Sequence, residues 1–245
     1  MRSRFIGPKL VAMAVLAGAL STPAWATLEI DFGGTNSGGT ITGGTTCVDN
    51  TACDTNPAVG TIETTMVPTQ FSVLGTVSVS TSPVGALSFT LNGVPTSTGT
   101  MNFAVTDNNF TTPPTPLVLG ENISGLSSPP VGGTGVAASI SSTGFFSSTN
   151  ADFTTSGGSS GLASTVLNAG PTTSTSPTLT GTSPYSLTEF ITVNITALAT
   201  TTDKSLQVSS NIATTAVSTV PEPKSVLLLS SALLLVGLLK RKREG

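Results

Sequence analysis

The stretch YSLTEFITVNITA, residues 185–197, decides the fold class of this chain. Apolar side chains occupy alternate positions of this stretch, interrupted only by Glu189: Tyr185, Leu187, Ile191, Val193, Ile195 and Ala197. Hydroxyl and amide side chains fill the positions between them, which is typical of a β-strand with one buried face. Glu189 and Phe190 alone break the alternation, and Glu189 falls on the apolar face. Residues 204–212 carry a shorter pattern at Leu206 and Val208, and we expect them to return antiparallel to this strand.

The same alternation recurs in shorter stretches between segments rich in Gly, Pro and Asn, which favour turns. The further strand candidates are residues 28–32, 71–79, 86–91, 100–106, 117–119, 136–140 and 151–154. No helical period is visible in the body of the chain. These observations predict an all-β fold, an antiparallel β-sandwich or jelly-roll-like body, flanked by an N-terminal signal helix and a C-terminal transmembrane helix.

Local turn chemistry predicts further details of the sheets. Gly75 lies inside a strand candidate, and we expect a bulge there because a glycine within a strand often marks one. Residues 86–91 and 100–106 are expected to pair across a long turn that begins at Asn92-Gly93. The Gly- and Thr-rich residues 33–46 are expected to form a surface loop, since a phosphate-binding loop would need an adjoining helix and a lysine.

Composition excludes several classes of chemistry. Ser and Thr make up 76 of the 245 residues, and there is no histidine anywhere. The absence of histidine excludes Ser-His-Asp and Cys-His nucleophile systems as well as His-based zinc sites. Between the two chain ends, residues 27–220 carry ten acidic residues and one basic residue, Lys204, so their net charge is −9. Such an acidic body is not expected to bind nucleic acid, which is held through Lys and Arg.

The two cysteines, Cys47 and Cys53, lie six positions apart. In an exported protein the expected state is a disulfide that closes a small loop. A redox or metal-binding pair is the alternative, although two thiols without histidine are too few ligands for zinc. No metal and no cofactor is predicted.

Two groups of oxygen-bearing side chains lie near predicted turns: Asp49, Asn50 and Asp54 around the cysteines, and Asp107, Asn108 and Asn109 further on. Asx turns account for both groups. The alternative is calcium, which prefers hard oxygen ligands, but neither spacing matches a known calcium loop.

Three glutamates of the body lie outside the first strand: Glu63, Glu121 and Glu189. Glu189 is either an irregularity of its strand or a carboxyl group with a perturbed pKa, and paired carboxylates would be needed for glycoside hydrolysis. The threonine row Thr188, Thr192 and Thr196 is either a solvated sheet face or a surface that binds a regular lattice such as a polysaccharide. No set of catalytic residues emerges, so we do not expect an enzyme.

The amino terminus carries an export address. Arg2, Arg4 and Lys9 precede an apolar core, residues 10–20, and Ala24-Trp25-Ala26 is a small-x-small cleavage signature. We expect a signal peptide, residues 1–26, that is removed by signal peptidase after passage through the general secretion machinery. Thr27 is then the first mature residue.

The carboxyl terminus has three parts. Val220-Pro221-Glu222-Pro223 is an extended, proline-bracketed segment, because both prolines fix φ and cannot donate backbone hydrogen bonds. Residues 225–239 are uncharged and apolar on all sides, which suits lipid, and as a helix they span roughly 22 Å. The basic stop Lys240-Arg241-Lys242-Arg243 is expected to stay cytoplasmic. A buried core helix with a solvated basic end is the alternative.

These three parts resemble the PEP-CTERM sorting signal of Gram-negative bacteria. The match covers about a tenth of the chain. The resemblance implies recognition by exosortase, a membrane cysteine transpeptidase, followed by removal of the tail and delivery to the cell surface or extracellular matrix. Proteins with this signal are similar to components of exopolysaccharide-associated surface layers and biofilms.

The predicted organisation is therefore a signal peptide (1–26), an exported β-rich domain (27–219) and a sorting signal (220–245) with a transmembrane segment (225–239). We expect a surface or biofilm-matrix protein that crosses the inner membrane and is held transiently in its lipid by the tail. Two alternatives stay open. One is a carbohydrate-binding module for exopolysaccharide, and the other is a carboxylate-dependent hydrolase that uses Glu189 or Glu63.

Overall fold

A computed structural model describes residues 27–66, 73–82, 85–111, 116–128, 136–198 and 204–217 of the chain. These residues form strands and turns. The strands are β1 (Glu29–Phe32), β2 (Thr35–Ser37), β3 (Thr40–Thr42), β4 (Thr45–Val48), β5 (Thr61–Met66), β6 (Val73–Ser82), β7 (Ala86–Pro95), β8 (Gly99–Phe110), β9 (Leu117–Ser128), β10 (Ala137–Ser147), β11 (Gly158–Val166), β12 (Thr172–Thr175), β13 (Tyr185–Ala197) and β14 (Ser205–Ala216).

Two six-stranded antiparallel sheets pack face to face as a β-sandwich. The first sheet has the order β11-β10-β13-β8-β1-β4, and the second has the order β12-β9-β14-β7-β6-β5. The small hairpin β2-β3 lies outside both sheets. The all-β, antiparallel prediction is thus confirmed.

One hydrophobic core lies between the sheets, and both contribute to it. The inner phase of β13 behaves as its alternation predicts, since Leu187, Ile191 and Val193 are fully buried. At one end of the core Tyr185 packs between Phe110 and Phe146, with ring centroids 5.1 and 5.0 Å away. Burial of a large apolar side chain stabilises the folded state by about 2 to 3 kcal/mol. The buried side chains of this core therefore supply much of the driving force for folding.

The predicted pairing of residues 86–91 with 100–106 is wrong. β7 continues straight through Asn92-Gly93 to Pro95, and β7 and β8 belong to different sheets. The predicted bulge at Gly75 is also wrong, because β6 pairs with β7 in continuous register there. The glycine serves a close approach instead. A Cβ atom at Gly75 would stand 2.0 Å from the Asn92 carbonyl oxygen.

The predicted antiparallel return of residues 204–212 along β13 is wrong as well. β14 pairs with β7 and β9 in the second sheet, while β13 pairs with β8 and β10 in the first. Its alternation was read correctly, but a period of two fixes only which face is buried and leaves the partner strand open.

Two further local predictions are corrected by the structure. Residues 33–46 form the hairpin β2-β3 and the start of β4 rather than a loop. Residues 151–154 form a turn with a single bridge from Thr154 to Thr40, rather than a strand. Both differences have the same cause. The hairpin β2-β3 and the turn at residues 151–154 are held together by hydrogen bonds between residues distant in sequence. The amide of Ile41 donates to the Phe153 carbonyl, and the amide of Thr155 donates to the Gly39 carbonyl.

Both ends of the described chain lie at the same end of the sandwich. The backbone nitrogen of Thr27 lies 3.3 Å from the Asn108 amide oxygen, near the end of β8. The Phe110 ring, at that end of β8, stacks on Tyr185, whose hydroxyl group contacts Thr214 near the end of β14. Val217 then closes the described chain with a hydrogen bond to the Pro116 carbonyl.

The predicted terminal segments, residues 1–26 and 220–245, lie outside the described residues. Within the described ranges, no helix is long and apolar enough to cross a membrane.

Candidate functional site

A cluster of carboxyl groups lies at the end of the sandwich where the described chain begins and ends. Asp49 follows β4, Asp107 lies in β8, and Asp152 lies in the turn after β10. Asp107 is fully buried, and neither carboxylate oxygen receives a well-formed hydrogen bond. Burial raises the pKa of Asp107 to about 6; the charges of Asp152 and Asp49 add to the rise, while Thr81 and the Asn108 amide oppose it.

The neighbouring asparagines bind the end of β8 to the turn that follows β10. The side-chain amide of Asn108 donates to the Asp152 carboxylate at 2.8 Å. The backbone amide of Asn109 donates to Asn150 Oδ1 at 2.7 Å, and Asn150 Nδ2 donates back to Asn109 Oδ1 at 2.8 Å. Both Asn109 and Asn150 have positive φ, which asparagine tolerates better than most residues. Their oxygen atoms are therefore used in structural hydrogen bonds.

The disulfide between Cys47 and Cys53 is present, which confirms that prediction. The loop that it closes is followed by Asp54, whose carboxylate accepts hydrogen bonds from the backbone amides of Asn50, Asn56 and Glu63. Burial raises the pKa of Asp54, but these amides outweigh it and hold the pKa below its ordinary value. The bond from the amide two residues on is the geometry of an Asx turn, as the turn interpretation of this cluster requires.

The structure thus brings Asp49 of the first predicted oxygen-rich group near Asp107 of the second, while Asp54 serves its own loop. No group of three or more carboxylate or cysteine side chains in the described parts of the chain is placed to hold a metal ion. An Asx turn explains the contacts of Asp54 in the first group. The turn prediction for the second group is wrong, because Asp107, Asn108 and Asn109 lie in β8, and the two asparagines bond residues distant in sequence.

A second pair of carboxyl groups lies in the core itself. Glu189 points inward from β13 and is fully buried, and Glu121 points inward from β9 of the opposite sheet with 3% exposure. Burial raises the pKa of Glu189 to about 8, and the charge of Glu121 adds to the rise. Burial also raises the pKa of Glu121, against the hydrogen bonds of Ser142, Ser160 and the Gly144 amide. Of the two interpretations of Glu189, the structure therefore supports the perturbed carboxyl group.

Serine hydroxyl groups surround both carboxyl groups. Ser160 donates to Glu121 Oε2 at 2.5 Å, and the Gly144 amide donates to the same oxygen at 2.9 Å. Ser210 contacts Glu189 Oε1 and also lies 3.2 Å from the hydroxyl oxygen of Ser142. The pair is held by neutral donors from three strands: β10, β11 and β14.

The structure does not bring the two glutamates of the hydrolase alternative together. Glu63 is exposed on the edge strand β5, whereas Glu189 contacts β14, three strands away in the second sheet. Three strand spacings amount to about 14 Å, which exceeds the separation of paired carboxylates in glycoside hydrolysis. Glu189 is moreover sealed from solvent, so a substrate has no contact with it in this conformation.

The threonine row does not form a single exposed surface. Thr188 is buried against Thr106, with 3.0 Å between the two hydroxyl oxygens, because the turn near Phe153 covers that part of the sheet. Thr192 is half-buried and only Thr196 is exposed. None of the described aromatic side chains is fully exposed, and sugar-binding surfaces usually present such rings.

Sequence reasoning missed the partners of Glu189. Glu121, Ser142 and Ser210 each stand in the buried phase of a strand, between apolar neighbours, and this phase was a usable signal for their burial. The signal does not show which strands face each other, so the pairing across the core had to come from the structure.

The predicted sorting motif (Val220 to Pro223), the basic stop (Lys240 to Arg243) and the cleavage residues Ala24 and Ala26 lie outside the described residues, while Thr27 is the first described one. Comparison of the chain with models of known protein families and with curated proteins found no match.

Proposed function

We propose that the protein is an exported surface or extracellular-matrix protein without catalytic activity. On this proposal the tail is an exosortase-type sorting signal that holds the body transiently at the inner membrane. The proposal includes the finer features of the predicted architecture, a jelly-roll-like winding of the body and one helix on either side of it.

One observation carries the proposal: every described strand of the sandwich lies before the sorting motif. The last described strand, β14, ends at Ala216, and the motif begins four residues later at Val220. β14 lies in the interior of the second sheet, between β9 and β7. A cut at or after the motif therefore removes none of the described strands from the sandwich.

The chemistry of the body supports the same conclusion. A disulfide is compatible with an oxidising compartment and rare in the cytosol. The net charge of −9 on residues 27–220 favours solubility and does not suit binding to nucleic acid. The polar outer positions of the strands, mostly Ser, Thr and Asn, suit a protein that remains in contact with water or hydrated polymer.

Intact-mass analysis of the protein from a host with the sorting machinery tests this proposal. We expect a mature species that begins at Thr27 and has lost the apolar segment, residues 225–239. Glu222→Ala should leave the tail in place, whereas Glu63→Ala, a matched loss of one exposed carboxylate in the body, should not affect processing. A parent protein that retains residues 225–243 in the mature fraction would contradict the proposal.

A further inference from the structure

The strongest unexplained feature of the molecule is the pair of glutamates in its core. Glu121 and Glu189 approach from opposite sheets, and one oxygen of each, Oε1 of Glu121 and Oε2 of Glu189, is buried without a hydrogen-bond partner. The hydroxyl groups of Ser142 and Ser210 lie between them. Ser210 contacts Glu189, Ser142 lies 3.2 Å from Ser210, and Ser142 lies close enough to Glu121 to lower the pKa of its carboxyl group.

The hydroxyl groups of Ser210 and Ser142 supply too few hydrogens for two carboxylates. Ser210 has one hydrogen and three acceptors within reach: Glu189 Oε1, the Ser142 hydroxyl oxygen and, at 3.4 Å, the Asn122 carbonyl. If both glutamates were ionised, Ser210 would donate its hydrogen to Glu189. The hydrogen bond between the two serines would then have to be donated by Ser142 to Ser210. Two negative charges would then face each other in the core.

One additional proton resolves the count. A protonated Glu189 donates to Ser210, Ser210 donates to Ser142, and Ser142 donates to the Glu121 carboxylate. The hydroxyl groups of Ser210 and Ser142 then each donate one hydrogen bond and accept one. In the reverse order, Glu121 carries the proton and donates to Ser142, Ser142 donates to Ser210, and Ser210 donates to Glu189. This form has the same number of hydrogen bonds. No covalent bond between heavy atoms changes in either form.

The surroundings offer no other way to neutralise the pair. Among the strands packed on Glu189, namely β8 and β10 beside it and β7, β9 and β14 opposite, only β8 and β9 carry titratable side chains, which are Asp107 and Glu121. Asp107 shares the inward face of β8 two residues from Val105, the partner of Glu189. β10, β11, β12 and β14, the strands around Glu121, have none.

The nearest basic group cannot serve as a counter-ion. Lys204 is the one basic residue within the described ranges, and it precedes β14 by one position. It lies six residues from Ser210, or about 20 Å along an extended strand. A buried carboxylate without a cation is strongly disfavoured, so a proton is the available means of neutralisation.

We propose that Glu121 and Glu189 hold a single proton in common through Ser142 and Ser210, and that this proton links the two sheets as a pH-sensitive latch. The sandwich is tight while the proton is bound. Its loss at alkaline pH leaves two negative charges in the core and loosens the contact between the two sheets.

The latch has a definite sign. The folded chain binds the shared proton at a pH where the unfolded chain, with ordinary carboxyl groups, has lost it. Folding stability due to the latch is therefore complete below the ordinary glutamate pKa and declines as the pH rises through the folded pKa of Glu189, about 8. This is opposite to the usual behaviour of a salt-bridged carboxylate.

The test compares the full-length chain with three variants by chemical unfolding between pH 5 and pH 8. In Glu189→Gln the amide donates to Ser210 in place of the shared proton. As the pH rises, the unfolding free energy of the parent is therefore expected to fall more steeply than that of this variant. The difference is a factor of ten in the unfolding equilibrium constant per pH unit, which corresponds to one proton. In Glu121→Gln the midpoint of the fall in unfolding free energy should lie at lower pH than in the parent, because this variant lacks the charge that adds to the effect of burial on the Glu189 pKa. Glu63→Gln, on the exposed edge strand, is the matched control and should follow the parent.

Infrared spectroscopy supplies an independent readout on the folded parent, should a core variant fail to fold. A carbonyl band of a protonated carboxylic acid is expected at pH 7 and should disappear reversibly at alkaline pH. Absence of that band at pH 7 would overturn the proposal. Equal slopes in parent and Glu189→Gln, or an unchanged midpoint pH in Glu121→Gln, would overturn it as well.

Discussion

Asp107 is fully buried in β8, while Asp54 lies nearer the surface under three backbone amides. The two side chains have the same chemistry, yet burial raises the pKa of Asp107 and the amides hold the pKa of Asp54 low. At the scale of single residues, the surroundings therefore decide whether a carboxylate stabilises this fold. Asp107 opposes folding when it is ionised, and Asp54 favours folding when it is ionised.

Asp107→Asn is expected to stabilise the protein more at pH 8 than at pH 5. The folded pKa, about 6, is above the ordinary value of 3.8, so the parent loses stability as the pH rises through 6, and the variant does not. Between pH 5 and pH 8 the gain should grow by about 1.4 kcal/mol, one proton over roughly one pH unit. Urea unfolding at both pH values measures it. Asp54→Asn is the control and should destabilise at both, by about 1 kcal/mol or less. An Asp107→Asn protein with the same stability difference at both pH values would contradict this account.

At the scale of strands, glycine positions differ in what they permit. Gly75 in β6 lets β7 approach so closely that a Cβ atom would stand 2.5 Å from the Gly93 Cα. Gly120 in β9 has only the Ala213 carbonyl oxygen nearby, 3.9 Å from a Cβ atom. Both lie in the second sheet, so they differ chiefly in the space around them.

Gly75→Ala is expected to lower the unfolding free energy by about 1 to 3 kcal/mol, because β6 and β7 would have to move apart. Gly120→Ala should stay within about 1 kcal/mol of the parent, since the added methyl group meets only ordinary contacts. Thermal or urea unfolding of the two variants checks the contrast. Similar stability of both variants would show that the close approach at Gly75 is not a constraint.

The strands with a clear alternation were predictable, whereas their pairing was not. The alternation of residues 185–197 predicted β13 and the inward direction of Glu189, since a period of two specifies a buried face. The same period does not state which strand lies alongside or opposite. Residues 204–212 were therefore placed beside β13, although β14 belongs to the other sheet, and the approach of Glu121 to Glu189 was not foreseen.

At the scale of the whole molecule, every described strand of the acidic β-sandwich precedes the predicted tail. Cys47 and Cys53 were predicted to pair from the compartment that the signal peptide implies, and the structure contains that disulfide. The carboxyl cluster at Asp107 needed the fold, because its members come from β8 and from two loops far apart in sequence. The proposed sorting role depends on residues 220–245, which lie outside the described ranges, so it must be tested on the tail itself.

The most direct test transplants the final thirty residues, 216–245, onto an unrelated secreted reporter in a host with the sorting machinery. We expect the reporter to appear at the cell surface or in the matrix with the apolar segment removed. The same fusion with Pro221, Glu222 and Pro223 changed to alanine should remain in the inner membrane at full mass. A fused reporter distributed like the untagged control, or one that keeps its tail, would contradict the account.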